Sequence, residues 1–274
     1  MPMETSNGFP HERRMPFGLQ IGVLFAVSAM FISGCSVLQR DPPKARTFEG
    51  PSTPMGQGVA RSFVTLDAAG MPIAVGIRLD QAALAGLPAE PPPDAEGWEY
   101  VLALPAEAKV AGYNHVAINW NPKGHVPPGV YDVPHFDFHF YLIGIDDRNK
   151  ITAVGDDIAR IDKMPPDQFM PDGYILPPGT EVARMGGHAV DPSAPEFNHQ
   201  PFTKTFIYGF YDGHLIFVEP MITMAYLEGK PNVMAPVKLP KTYEQHAYYP
   251  TQYSVKYDSA QAQYSITLED LVAH

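Results

Sequence analysis

The clearest pattern along the chain is a series of short runs rich in β-branched and aromatic residues, each bounded by Pro, Gly or Asn. Runs of this length and composition are typical of β-strands. Proline accounts for 30 of the 274 residues, which argues against long helices. The runs therefore predict one all-β domain, a sandwich or a barrel, with a few short helices. The predicted strands are Ile73–Leu79, Tyr100–Leu104, Asn114–Trp120, Phe136–Ile145, Thr203–Tyr211, Leu215–Glu219 and Tyr253–Lys256.

Two short helices have recognisable ends. Asp80 is a suitable N-cap for a helix over Gln81–Leu87. Pro220 suits the first turn of a second helix over Met221–Leu227, which Gly229 would end.

The dipeptide Asp212-Gly213 predicts a tight hairpin, because both central residues of a type I′ turn need positive φ. Pairing Tyr211 with His214 then places Glu219 among aromatic rings in the interior. The residues predicted to share this face are Phe206, Tyr208, Phe210, Leu215, Phe217 and Glu219.

Near the N-terminus, an apolar run of signal-peptide length follows a pair of arginines. It extends from Phe17 to Phe31, and small residues precede Cys35. Basic, apolar and small-residue regions in this order form a secretory signal. Because the chain's only cysteine stands where a lipid-accepting cysteine would, the run resembles a lipobox. We expect residues 1–34 to be a lipoprotein signal peptide and Cys35 to be acylated; the alternative is an uncleaved membrane anchor.

The sequence after Cys35 predicts a tether followed by a single domain. Residues 35–58 are polar, contain four prolines and lack an apolar period, which favours a flexible tether. Residues 59–274 are predicted to form the β-rich globular domain. The residue after Cys35 is Ser36 rather than an aspartate, which resembles the signal for sorting to the outer membrane. The protein is therefore predicted to be lipid-anchored in the cell envelope, at the outer membrane.

Charge and motifs narrow the function classes. The 274 residues carry a net charge of −11 without a Lys/Arg cluster, which argues against nucleic acid as a partner. The sequence has no Gly-x-Ser-x-Gly elbow, P-loop, Cys-x-x-Cys pair or dinucleotide-binding glycine fingerprint. Nucleophilic acyl transfer and nucleotide chemistry therefore receive no support.

The densest group of chemically active residues lies in a predicted strand. Alternation places His135, Asp137 and His139 on one face and three phenylalanines on the other. Residues two apart lie about 6–7 Å apart and can share one ion, whereas His135 and His139 span about 13 Å. A straight strand therefore cannot bring all three to one ion; either a bulge bends the strand or Asp137 acts with one histidine.

Two distant residues extend this set. His188 follows two glycines, which permit close backbone approach, and Glu219 ends an interior strand, where an ionised carboxylate needs a partner. Imidazole and carboxylate ligands suit Zn, Mn, Fe or Cu. The predicted metal ligands are His135, Asp137, His139, His188 and Glu219. A purely structural polar network of the same residues is the alternative. Five other histidines are interpreted as ordinary surface or hydrogen-bonded core residues: His115, His125, His199, His214 and His246.

Several motifs, of which the string Pro134-His-Phe-Asp-Phe-His-Phe-Tyr141 is the most specific, point to a known family. Together with Met185-Gly-Gly-His188 and Phe217-Val-Glu-Pro-Met-Ile-Thr223, it resembles an uncharacterised family of bacterial envelope proteins. This domain of unknown function is typified by a thermophile protein under extracytoplasmic sigma-factor control. The resemblance implies a β-rich domain and a homo-oligomer, and it implies no established activity.

These observations lead to one leading hypothesis and two alternatives. The leading hypothesis is a lipid-anchored envelope protein that binds a metal or small ligand through the His/Asp/Glu cluster without turnover. The first alternative is a metal-dependent hydrolase or oxygenase, in which an open position on the ion activates water or dioxygen. The second is a structural scaffold or oligomeric assembly. The membrane, reached through the lipid, is the one partner that the sequence itself predicts.

Overall fold

Twelve strands build the fold of the described residues. The structure is a computed structural model, and it describes residues 44–95 and 97–274. The strands are β1 (Arg46–Met55), β2 (Gly58–Leu66), β3 (Pro72–Asp80), β4 (Trp98–Ala103), β5 (His115–Asn121), β6 (His135–Tyr141), β7 (Gly187–Ala189), β8 (Lys204–Tyr211), β9 (His214–Thr223), β10 (Asn232–Pro236), β11 (Tyr248–Asp258) and β12 (Gln263–Ala273).

These strands form two six-stranded antiparallel sheets. The first has the order β1-β2-β3-β12-β11-β10 and the second the order β4-β5-β6-β9-β8-β7. Inner-face residues of both sheets share one apolar core, in which Val75, Ile77 and Leu268 of the first sheet join Phe136 and Phe138 of the second. The predicted all-β fold is confirmed, and it is a sandwich.

The helices of the described residues are short. They are α1 (Ile145–Arg148), α2 (Asp157–Ile161) and α3 (Met224–Glu228), with 3₁₀ turns at Gln81–Leu84, Ala106–Ala111 and Pro195–Asn198. None of the helices in the described ranges has the length and apolarity needed to cross a bilayer.

The predicted helix over Met221–Leu227 begins too early. Its first residues continue β9, and α3 starts only after Thr223, whose hydroxyl oxygen accepts a hydrogen bond from the backbone N–H of Tyr226. Thr223 is therefore the N-cap, and Pro220 lies inside a strand. The predicted helix that starts at Gln81 ends at Leu84, three residues earlier than expected.

The hairpin between β8 and β9 is confirmed at its turn and differs beyond it. Asp212 and Gly213 have φ values of 53° and 80°, as a type I′ turn requires. A bulge then shifts the register at Gly209, so that Glu219 pairs with Ile207 rather than with a core aromatic. The predicted shared face is therefore wrong, and Glu219 lies on the outer face of its sheet. The backbone at Gly209 lies against a neighbouring side chain, since a Cβ there would lie 2.1 Å from the ring of Phe217.

The predicted tether, 35–58, is wrong for its second part. Arg46–Met55 forms β1 and pairs with β2. This strand lies at the edge of its sheet and is mostly exposed, so it shows little apolar alternation. Its prolines are tolerated because an edge strand has N–H groups that need no ladder partner, and the register shifts between Glu49 and Ser52.

The predicted signal peptide, the lipidation site Cys35 and the first part of the tether lie outside the described residues. They stay predictions.

Candidate metal centre

A row of buried polar side chains follows β6 on the outer face of the second sheet. All seven residues of β6 are buried. Its three phenylalanines enter the sandwich core, and His135, Asp137 and His139 point to the opposite face. The predicted alternation is therefore correct, and both faces of this central strand are removed from water.

Two clusters of apolar side chains cover the row of polar side chains on the outer face of β6. The segments between β5 and β6, between β6 and β7 and between β7 and β8 all contribute. One cluster consists of Ala117, Tyr141, Ile151, Ile161, Met185, Ile216 and Phe217, and the other of Tyr131, Val190, Phe202, Ile207 and Met221. Because the surroundings are apolar, each polar atom between the clusters needs a partner or costs free energy.

The His139 group, which consists of His139, His188 and Glu219, connects β6, β7 and β9. Nε2 of His139 lies 3.5 Å from Oε1 of Glu219, and Nε2 of His188 lies 3.9 Å from Oε2. One ligand atom of each residue lies within 4.8 Å of the others. The side chain of His188 is 14% exposed, whereas those of His139 and Glu219 are 0% and 2% exposed.

In this group, His139 is buried and at best weakly hydrogen-bonded. The backbone of Ala117 acts on it as a hydrogen-bond partner and raises its pKa, but neither ring nitrogen has a partner at strict hydrogen-bond geometry among the described residues. Oε2 of Glu219 also lacks one within the described ranges. A buried polar atom left in this state costs about 1–3 kcal/mol. An ion held between the rings and the carboxylate would remove that cost.

Burial keeps the His139 group neutral. It lowers the pKa of His139 to about 3, although the negative charge of Asp137 opposes the effect. Burial also lowers the pKa of His188. It raises the pKa of Glu219 well above the ordinary range, and the charge of Asp137 adds to this effect. Neutral imidazoles are the form that binds metals, and a carboxyl held protonated by burial gains most from a nearby cation.

The His125 group, which consists of His125, His135 and Asp137, lies next to it along β6. Nε2 of His135 is 3.1 Å from Oδ1 of Asp137, and Nε2 of His125 is 3.5 Å from Oδ2. The amide of Asn121, on β5, donates a hydrogen bond to Oδ2 over 2.6 Å. Burial opposes ionisation of Asp137, but the two histidines outweigh it and hold its pKa well below the ordinary value.

The structure therefore divides the five predicted ligands between two groups. His135 and Asp137 belong to one group, and His139, His188 and Glu219 belong to the other. Because β6 has no bulge in its pairing with β5, His135 and His139 stay four residues apart on one face, as a straight strand requires.

His125 was interpreted from the sequence as an ordinary surface or core histidine. The structure instead places it in a group with His135 and Asp137. It lies on the segment after β5, where periodicity carries no information. One signal was present: Gly124 has a φ of 74°, and a glycine precedes His188 as well. At Gly124 the positive φ lets the backbone turn just before His125, whereas Gly187, before His188, lies in the extended strand β7.

The remaining histidines lie outside both groups. His115 is buried, stacks on Tyr141 with ring centroids 4.6 Å apart, and has Nδ1 3.0 Å from the amide oxygen of Asn114. His199, His214 and His246 are exposed.

A surface pocket of about 470 Å³ lies elsewhere. Its lining includes Ile143, Lys150, Arg160, Tyr211 and His214, and it contains no member of the His125 or His139 group. Each group supplies three protein ligands, the number found around catalytic ions, but neither group forms the wall of this pocket.

The fold and the two groups define an all-β sandwich with buried His/carboxylate sites suited to a transition ion. The model of a family described as TTHB210-like, hypothetical protein TTHB210, matches residues 67–120 and 211–257. The predicted resemblance to an uncharacterised family of unknown function is thereby confirmed. Of the residues in the two groups, the matched segments contain only Glu219. No curated protein and no solved structure matches the chain.

Proposed function

We propose that this chain is a lipid-anchored envelope protein whose β-sandwich binds a first-row transition ion at the His139 group. The observation that carries the proposal is the geometry around His139: a fully buried imidazole faces a buried carboxylate at 3.5 Å, and one ligand atom each of His139, His188 and Glu219 lies within 4.8 Å of the others. Two imidazoles and one carboxylate are ligands of zinc, iron, copper and manganese.

A self-contained polar network explains this geometry less well than an ion does. In such a network, donors and acceptors pair with each other, and buried polar atoms seldom remain without partners. In the His139 group, the nearest ring nitrogen to a carboxylate oxygen is 3.5 Å away, too far for a good hydrogen bond. Two ligands of one tetrahedral ion, each about 2.0–2.1 Å from it, lie at about this separation from each other.

His188 is held in the orientation that is common for metal-binding histidines. Its Nδ1 lies 2.9 Å from the carbonyl oxygen of Thr180, which can only accept, so Nδ1 is the protonated nitrogen. Nε2 then presents its lone pair towards Glu219. Metal-binding histidines commonly have their other nitrogen fixed in this way, because the contact sets both tautomer and ring orientation.

Metal analysis of the purified full-length chain, prepared in detergent without a polyhistidine tag, tests this proposal. After exposure to Zn²⁺ or Co²⁺ and dialysis, we expect a bound ion that His188→Gln removes. His246→Gln is the matched control, because His246 is exposed. If His188→Gln folds and retains every ion that the unmodified chain binds, the His139 group is not the site.

The lipid anchor is a separate part of the proposal. It is supported by the sequence around Cys35, the only cysteine of the chain. We expect Cys35→Ala to abolish labelling by a fatty-acid analogue and to release the protein from membranes. Retention of the variant in the membrane would instead support an uncleaved anchor.

Ion binding without turnover is the form of function that we propose. Its support is the enclosure of the ligands, since His188 alone among the three has more than a few per cent of its side chain exposed. Assembly into a homo-oligomer is compatible with this function.

A further inference from the structure

We propose that the chain binds a second transition ion, held by His125, His135 and Asp137. This site goes beyond the proposed function, because it shares no ligand with the His139 group and requires no ion there. It includes His125, which neither the sequence pattern nor the family match marks as a ligand.

Backbone contacts fix the orientation of both histidine rings. Nδ1 of His135 lies 2.6 Å from the carbonyl oxygen of Val133, and Nδ1 of His125 lies 2.7 Å from that of Val126. A carbonyl oxygen only accepts, so Nδ1 donates in both rings and Nε2 is the nitrogen on the side of Asp137. Nε2 of His135 and Nε2 of His125 lie 3.1 Å and 3.5 Å from the Asp137 carboxylate, and one ligand atom of each residue lies within 4.8 Å of the others. A cation that displaces the protons between these atoms takes all three residues as ligands.

The contact between His135 and Asp137 has the spacing of two ligands of one ion. Nε2 of His135 and Oδ1 of Asp137 lie 3.1 Å apart, and neither atom has a partner at strict hydrogen-bond geometry among the described residues. Two ligands of one tetrahedral ion, each about 2.0–2.1 Å from it, lie at about this separation from each other.

The residues around the site orient its carboxylate and leave one side open to solvent. Asn121 fixes Asp137 by donating to Oδ2, so one carboxylate oxygen is oriented from outside the group. The rings of Tyr131 and Phe202 lie 6.4 Å and 5.4 Å from the His135 ring and exclude water on that side. The side chain of His125 is 18% exposed, whereas that of His135 is fully buried. An ion therefore enters and leaves past His125.

The kind of ion follows from the ligands. Two imidazole nitrogens and one carboxylate oxygen, without a thiolate, suit Zn²⁺, Co²⁺, Mn²⁺ or Fe²⁺ better than Ca²⁺ or Mg²⁺, which prefer oxygen ligands. Because Asp137 and His139 are two residues apart on one face of β6, the two ions would lie several ångströms apart, without a bridging ligand.

The experiment is a count of ions per chain. Full-length protein without a polyhistidine tag is loaded with Co²⁺ or Zn²⁺ in detergent, dialysed and assayed by mass spectrometry of the metal. The chains compared are the unmodified one, His125→Gln, His188→Gln, the double variant and the exposed control His246→Gln. We expect two ions in the unmodified chain and the control, one in each single variant and none in the double variant. Circular dichroism establishes that each variant is folded.

The outcomes separate the two proposals. One ion per chain that persists in His125→Gln and disappears in His188→Gln would overturn the second site and leave the proposed function intact. One ion with the opposite pattern would support the His125 site and contradict the His139 site. No bound ion in the unmodified chain would contradict both. If His125→Gln does not fold, Asn121→Ala replaces it, with a several-fold weaker affinity expected for one of the two ions.

Discussion

The His125 group and the His139 group have the same composition, lie on the same face of one strand, and differ in the state of their carboxylates. Burial opposes ionisation of Asp137, but the two imidazoles that flank it hold its pKa well below the ordinary value. Glu219 has more distant imidazole neighbours and a raised pKa. Two groups with the same kinds of side chain can therefore differ in whether the carboxylate is ionised.

The difference shows which contacts decide ionisation at a buried site. Desolvation acts on both carboxylates in the same direction. The imidazoles of His135 and His125, at 3.1 and 3.5 Å, outweigh desolvation at Asp137. At Glu219 the charge of Asp137 adds to desolvation, and imidazoles at 3.5 and 3.9 Å do not outweigh the two together. The charges nearby therefore decide which of the two buried carboxylates is ionised.

Among the substitutions, the largest expected effect is that of Asp137→Asn. Because its surroundings stabilise the charged form, we expect the neutral isostere to lower the free energy of unfolding by about 2–3 kcal/mol in ion-free buffer at neutral pH. Urea denaturation in the presence of a chelator measures it. A loss below about 0.5 kcal/mol would show that the charge of Asp137 is not stabilised by its neighbours.

Ion binding is expected to stabilise the fold by a similar amount. A ligand at 100 times its dissociation constant stabilises the native state by about 2.7 kcal/mol for each site. We therefore expect Zn²⁺ to raise the urea midpoint of the unmodified chain and EDTA to reverse the rise. A midpoint that does not respond to Zn²⁺ would contradict ion binding at both groups.

The substitution Gly209→Ala is expected to weaken ion binding at the His139 group alone, without changing any ligand. The Phe217 ring fills the space beside Gly209 and lies edge-on to His139, with ring centroids 4.8 Å apart. Gly209→Ala displaces this ring, at an expected cost of about 1–3 kcal/mol. We expect weaker ion binding at the His139 group and unchanged binding at the His125 group, as measured by titrating His188→Gln and His125→Gln backgrounds. Equal weakening at both would indicate a general distortion of the sheet.

Asp157 is a carboxylate near the surface that accepts several hydrogen bonds. Comparing it with the buried Asp137 shows how much burial adds to the effect of losing the charge. Burial raises the pKa of Asp157, but hydrogen bonds from Tyr211, Thr152 and Ala153 together outweigh this and lower the pKa to about 2. Its stabilising contribution is therefore present above its unfolded pKa of about 4 and is lost as the pH falls towards 2. We expect Asp157→Asn to cost at most about 1 kcal/mol at pH 7, less than Asp137→Asn, and almost nothing at pH 2. Denaturation curves at the two pH values measure the difference.

The smallest expected effect is that of Glu219→Gln. Burial keeps Glu219 protonated, so a neutral isostere should change the stability of the ion-free protein by less than about 0.5 kcal/mol. The same variant should lose its ion, because an amide is a weaker ligand than a carboxylate. A loss of stability as large as that of Asp137→Asn would mean that Glu219 is ionised without an ion, and the contrast between the groups would disappear.

Local pattern was sufficient for much of the fold. Alternation identified β6 and its two faces, and Asp212-Gly213 gave the turn between β8 and β9. Strands β1, β2, β7, β10 and β12 lie outside the predicted set. The edge strand β1 shows why, because an exposed edge has little apolar alternation to detect and tolerates proline.

The sequence by itself determined the strand-rich class and the set His135, Asp137, His139, His188 and Glu219, because side-chain alternation and residue type are local properties. Only the tertiary structure decided how these residues group. Bringing His188 and Glu219 to His139 depends on the pairing of β7, β8 and β9, and on the register shift between Gly209 and Phe210. Bringing His125 to Asp137 depends on the path of a segment between strands. Such placements are set by packing between distant parts of the chain, which no local period encodes.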